Sequence, residues 1–174
     1  PRPRPPSPPD PRGDLDSVIH LAKALLGDTR ALLELLKSRF PAEGEHKMDS
    51  LPVLAMSALE LPNIQASSLL PRLGSDLLRY QRLLEWLRRA GARCGAWSRR
   101  WGAAGPRGVS LTPLSPHPQV SRLSLPRPAP SPGVTPPPQV TPWGAVRAAH
   151  ALLRGLHLYL DWAARALVLL RNRL

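Results

Sequence analysis

The stretch from Trp143 to Leu174 contains no proline and repeats its apolar residues at steps of three and four. Val146, Ala149, His150, Leu153, Leu156, Leu160, Ala163, Leu167, Leu170 and Leu174 fall along one side of an α-helix at that spacing. Most other positions are Ala, Leu or Arg, all good helix formers. Pro142 and Gly144 mark the start, and Arg171 and Arg173 suit the negative end of the helix dipole. At about 1.5 Å per residue the helix is roughly 45 Å long. A helix so long and so apolar needs long partners to cover its stripe. It does not read as a membrane span, because Arg154, His157, Asp161 and Arg165 interrupt it before ~20 apolar residues accumulate.

Two other segments supply partners. The first helix is predicted over about 15–40, capped by Asp16 or Ser17 and stopped by Pro41. Leu15, Val18, Ile19, Ala22, Leu25, Leu26, Thr29, Leu32, Leu33, Leu36 and Phe40 form its stripe. The second is predicted over about 68–90, capped by Ser67 or Ser68 and ended by Gly91. Leu69, Leu73, Leu77, Tyr80, Leu84 and Leu87 form its stripe, and Pro71 is near enough to the start to be tolerated. Only 5% of the chain is aromatic, so the core is mostly leucine and alanine, which favours an all-α fold.

The 23 prolines cluster, seven in residues 1–11 and twelve in 101–142. Residues 1–13 read as a flexible Pro/Arg-rich tail, with 14–174 a single helical domain whose residues 91–142 are irregular. The connection after Pro41 is different, because Met48–Leu61 (MDSLPVLAMSALEL) has seven Leu, Met or Val among its fourteen residues. A loop so apolar is expected to lie against the bundle or a partner. Both links are long enough to join helices that run parallel.

Net charge is +12, and ten arginines but no acidic residue lie between Glu85 and Asp161. That bias suits an acidic partner such as heparan sulfate, nucleic acid or an acidic receptor face, or simply a solvated basic surface. Arg88–Trp101 (RRAGARCGAWSRRW) interleaves arginines with tryptophans that can stack on bases, so a basic polyanion-binding protein is the alternative reading. No Gly-rich phosphate loop and no nucleophile–base arrangement argues for an enzyme, and no cofactor or metal is implied. Glu43, Glu45, His46 and Asp49 read as a polar loop rather than a metal site. Cys94 is the single cysteine and cannot form an internal disulfide. A chain beginning at Pro1 reads as a processed form or a fragment, compatible with a secreted protein whose leader has been removed.

Four pieces carry a family resemblance: DPRGDLDS (Asp10–Ser17), FPAEGEHKMDSLPVLAMSA (Phe40–Ala58), WLRRAG (Trp86–Gly91) and the whole of Trp143–Leu174. With the Pro-rich runs, they make the chain resemble the interleukin-11 family of long-chain helical cytokines, a branch of the interleukin-6 group. The resemblance implies a four-helix up-up-down-down bundle, in which the three segments above are helices A, B and D. Helix C of that family follows WLRRAG directly. Here the place is taken by residues 91–119, with five glycines and four prolines, so helix C is expected to be absent or badly disrupted. So abrupt and bounded a substitution reads as an alternative or mis-predicted exon, or a frame-shifted stretch. Without helix C, part of the apolar stripes on A, B and D is expected to lack cover, leaving a marginal three-helix remnant unless residues 92–125 drape over the gap.

By the same resemblance the chain is a secreted cytokine and growth factor, a monomer before receptor binding, that acts without membrane insertion. One face, from the C-terminal half of helix D and the end of the A–B connection, binds an interleukin-11-type alpha receptor. Arg165 matches the family's critical arginine there, beside Asp161, Arg171 and Arg173, with Met56 where the loop adjoins. A guanidinium suits the task because its planar fork pairs with carboxylates. On residue type alone Arg165 reads first as a solvated helix arginine and Met56 as a buried loop anchor. Trp143 matches the tryptophan that meets the shared signal-transducing receptor of the interleukin-6 family, leading to JAK/STAT signalling and cell proliferation. The competing role for Trp143 is a staple onto the core. A third face on helices A and C keeps only its helix A half, through residues such as Asp16, Lys23, Arg30 and Lys37, so signalling is expected to be impaired.

Overall fold

The computed structural model describes residues 10–41, 48, 51–54, 57, 59–93, 95 and 141–174. Among these, all regular structure is helical: α1 (Pro11–Arg39), a 3-10 turn (Leu61–Asn63), α2 (Ala66–Arg93) and α3 (Pro142–Asn172).

The first helix begins earlier than expected. Asp10, in extended backbone, accepts from the Arg12 amide at 3.1 Å, and Pro11 opens the helix where no amide is needed. Asp16 and Ser17 are therefore interior residues, and the Ser17 hydroxyl donates back to the Gly13 carbonyl. Residues 11–13 of the expected tail are thus helical, and residues 1–9 lie outside the described residues. The second helix also outruns its predicted limits. It starts at Ala66, and the Ser68 hydroxyl donates to the Gln65 carbonyl instead of capping. It passes through Gly91, which is buried, to Arg93. Gly95, with φ of 75°, takes the left-handed conformation that follows many helix ends. Thr141 caps α3, accepting from the Gly144 amide at 3.0 Å.

Pairs across the helices set their directions. Asp16 of α1 meets Arg171 of α3, and Phe40 meets His150, so position rises on one helix as it falls on the other. The same holds for α2, where Asp76 meets Tyr159 and Tyr80 lies beside Gly155. Both α1 and α2 therefore run antiparallel to α3 and parallel to each other. This is the up-up-down part of the bundle, with the long link at 41–65 as its overhand connection.

The core is one apolar cluster drawn from all three helices and from Leu54 of the link. Leu36, Tyr80, Leu87, Leu152, Leu156 and Leu160 are fully buried. Among the described residues the stripes of α1 and α2 are buried or half-buried. The large apolar side chains most exposed among the described residues are Val53, Leu59, Trp143, Leu158, Leu169 and Leu174; none belongs to the stripes of α1 or α2, and Leu174 is the exposed last member of the α3 stripe. The sequence that replaces helix C lies, from residue 96 onward, outside the described residues, as does Cys94.

Candidate functional site

On α3, the face turned away from the core is narrow. Arg165 projects from it, well exposed, and pairs with Asp161 one turn earlier at 3.1 Å. Its guanidinium also lies over the Trp162 ring, 5.6 Å from the centroid. Asp161 on one side and Trp162 on the other hold the guanidinium plane in a defined direction, which lowers the entropy lost when a carboxylate binds it. Leu158 and Leu169 flank the arginine along the same face and are exposed. The result is a basic centre within an apolar surround, suited to a protein surface that carries an acid in an apolar patch.

The link meets the same helix ten residues before Arg165. Leu51 lies against α3 at Gly155, where an added Cβ would stand 2.9 Å from a Leu51 methyl. The Tyr80 hydroxyl donates to the Pro52 carbonyl at 2.8 Å, and Arg72 donates to the Val53 carbonyl at 2.8 Å. Leu54 is buried, while Val53 and Leu59 point outward. A reciprocal capping box closes the end of the link. The Ser57 amide donates to the Glu60 carboxylate at 2.8 Å, and the Glu60 amide donates to the Ser57 hydroxyl at 3.2 Å. The bond from the Ser57 amide, then the Ser57 hydroxyl, holds the Glu60 carboxyl below its usual range.

Behind the link is a buried polar group. The Tyr159 hydroxyl donates to Asp76 at 2.8 Å, Arg72 stands 3.6 Å from the same carboxylate, and the Tyr80 and Tyr159 rings are 5.5 Å apart at 59°. Burial first, and the Asp76 charge second, push both phenols well above the usual tyrosine range. They are O–H donors at any physiological pH.

The other residues singled out from sequence are dispersed. Arg171 is engaged with Asp16 across α1 and α3, and Arg173 is exposed just past the helix end. Lys37 pairs with Glu34 at 3.4 Å. Trp143 is 52% exposed in the first turn of α3. Met56 lies outside the described residues, as does Arg88–Trp101 beyond Arg93, apart from Gly95. Sequence reasoning missed Leu158, Trp162 and Leu169. Their signal was present, because they are apolar residues lying off the buried stripe of a helix. Among the described residues no group of acidic, His or Cys side chains could hold a metal, and no helix is long and apolar enough to cross a membrane.

A family model for Interleukin 11 matches residues 3–174. The chain belongs to the interleukin-11 family. It is 50% identical over 180 residues to Interleukin-11 of Macaca fascicularis, covering 100% of this chain and 89% of that protein. Against Interleukin-11 of Homo sapiens it is 48% identical over 191 residues, covering 98% and 88%. Against that of Mus musculus it is 47% identical over 182 residues, covering 95% and 83%. Interleukin-11 is a family of cytokines and not of enzymes, and the three packed helices, two parallel and one antiparallel to them, accord with a helical cytokine bundle.

Proposed function

We propose that this chain is a secreted cytokine that binds an interleukin-11-type alpha receptor and then recruits the shared signal-transducing receptor of the interleukin-6 family, activating JAK/STAT signalling. The observation that carries this reading is the composite face around Arg165. An oriented guanidinium, exposed leucines and an anchored apolar link meet on one side of α3, where a soluble monomer has no need of them. Trp143, at the opposite end of the helix, is the contact for the shared receptor, since a protruding tryptophan buries much area at low entropy cost. Arg171 and Arg173 add positive charge at the far end of the first face, and Met56 belongs to the link that borders it. Because residues 91–119 lack a helix C pattern, the face shared by helices A and C is incomplete and signalling is weaker than receptor binding alone would give.

Two-step binding on immobilised alpha receptor tests this, the chain being flowed first alone and then with soluble shared receptor. Arg165→Ala is expected to lose the first step, and Trp143→Ala to keep the first and lose the second. A wild-type chain that binds neither receptor would overturn the proposal.

A further inference from the structure

Residues 51–54 have no helix or strand to hold them, yet their backbone is held firmly by other means. Two successive carbonyls, of Pro52 and Val53, each accept a 2.8 Å hydrogen bond from an α2 side chain, Tyr80 and Arg72. The donors lie eight residues apart on α2, so the link is pinned at two heights along that helix, while Leu51 is seated in the hollow at Gly155 of α3. Arg72 is itself steadied by Asp76, which Tyr159 of α3 holds from the other side. At about 100° per residue, Leu158, Trp162, Arg165 and Leu169 all lie within ~80° of Gly155 around α3, and all on one side of it. The pinned link therefore meets α3 on the side that displays Arg165, ten residues earlier along the helix, with Val53 exposed.

We propose that Tyr80 and Arg72 are positioning residues for receptor binding. Neither need touch the receptor; they keep the link in its binding shape before the receptor arrives. The inference rests on the alpha-receptor reading above and adds what presets the link. A link released from its clamp spends only part of its time in the competent shape, and apparent affinity falls by that fraction. The loss is in association rate, since the contacts made once bound are unchanged.

The test compares Tyr80→Phe, which removes one hydroxyl and keeps the ring, with Arg72→Gln at an exposed position that does not threaten the fold. Ile19→Val in α1 is the control for a general loss of stability. Three readouts are taken: amide exchange at Val53 and Leu54, association rate on immobilised alpha receptor, and thermal midpoint. Both clamp variants are expected to exchange faster at Val53 and Leu54 and to associate about tenfold more slowly. Ile19→Val is expected to lower the thermal midpoint and leave the association rate within twofold of wild type. Clamp variants that associate at the wild-type rate, with or without faster exchange, overturn the proposal while leaving the receptor reading intact. A wild-type chain that does not bind the alpha receptor sinks both.

Discussion

Helices α1 and α2 both lean on α3, but by different chemistry. The α1 side is an apolar seam with polar contacts at its ends, Asp16 with Arg171 at one and the Phe40 carbonyl with His150 at the other. The α2 side carries its polar contacts in the middle, where Tyr80, Tyr159, Asp76 and Arg72 join two helices and a link. Apolar contact is non-directional and supplies most of the stability. A buried polar network is directional, and half-satisfied it is worse than none. The α1 side thus holds the bundle together, and the α2 side fixes where the link lies.

The largest expected effect is on the apolar cluster. Leu156→Ala, at a fully buried position, is expected to lose about 2–5 kcal/mol in urea unfolding. A loss below about 1 kcal/mol would mean that the core around α3 is loosely packed. Tyr159→Phe should cost about 1–3 kcal/mol, because it strips a donor from a partly buried Asp76. The same group gives the α2 side an alkaline signature. Both phenols are raised above their unfolded value, so their contribution is complete below about pH 10 and is lost as pH rises beyond it. Tyr159→Phe should flatten that alkaline loss, and an unchanged slope would deny the network its role.

Thr29 tests the seam from the other direction. Its hydroxyl is buried among the α1 stripe with no hydrogen-bond partner among the described residues. Thr29→Val keeps the shape, removes the orphan and is expected to raise stability by about 1 kcal/mol in thermal melts. A loss there would mean that the hydroxyl is satisfied after all. Smallest is Arg171→Ala, since its pair with Asp16 is half-exposed. A cost of about 0.5 kcal/mol, shrinking with added salt, is expected from melts at low and high ionic strength.

Much of this was legible in the residues. The stripes of all three helices follow a period that depends only on local spacing, and most of their residues are buried, with Leu26, Leu32 and Phe40 half-buried and Leu174 exposed. The start of α1 was misread because Asp10–Pro11, an N-cap followed by an N1 proline, sits at the edge of a Pro-rich run that masked it. Ser57 and Glu60 carry the S-x-x-E spacing of a capping box and were open to the same reading. The clamp was not legible. Nothing local says that Tyr80 meets the Pro52 carbonyl or that Gly155 leaves room for Leu51, because those meetings follow from how three helices cross.

The contacts that close this bundle also set an order in time. Asp16 finds its partner 155 positions later, Phe40 its partner 110 later, and Asp76 its partner 83 later. In each case the later partner is on α3. During synthesis, then, α1 and α2 emerge before the helix that covers most of their leucines, while the link already meets its α2 donors Tyr80 and Arg72. The contacts that join α1 and α2 to α3 wait until residues 142–172 have emerged.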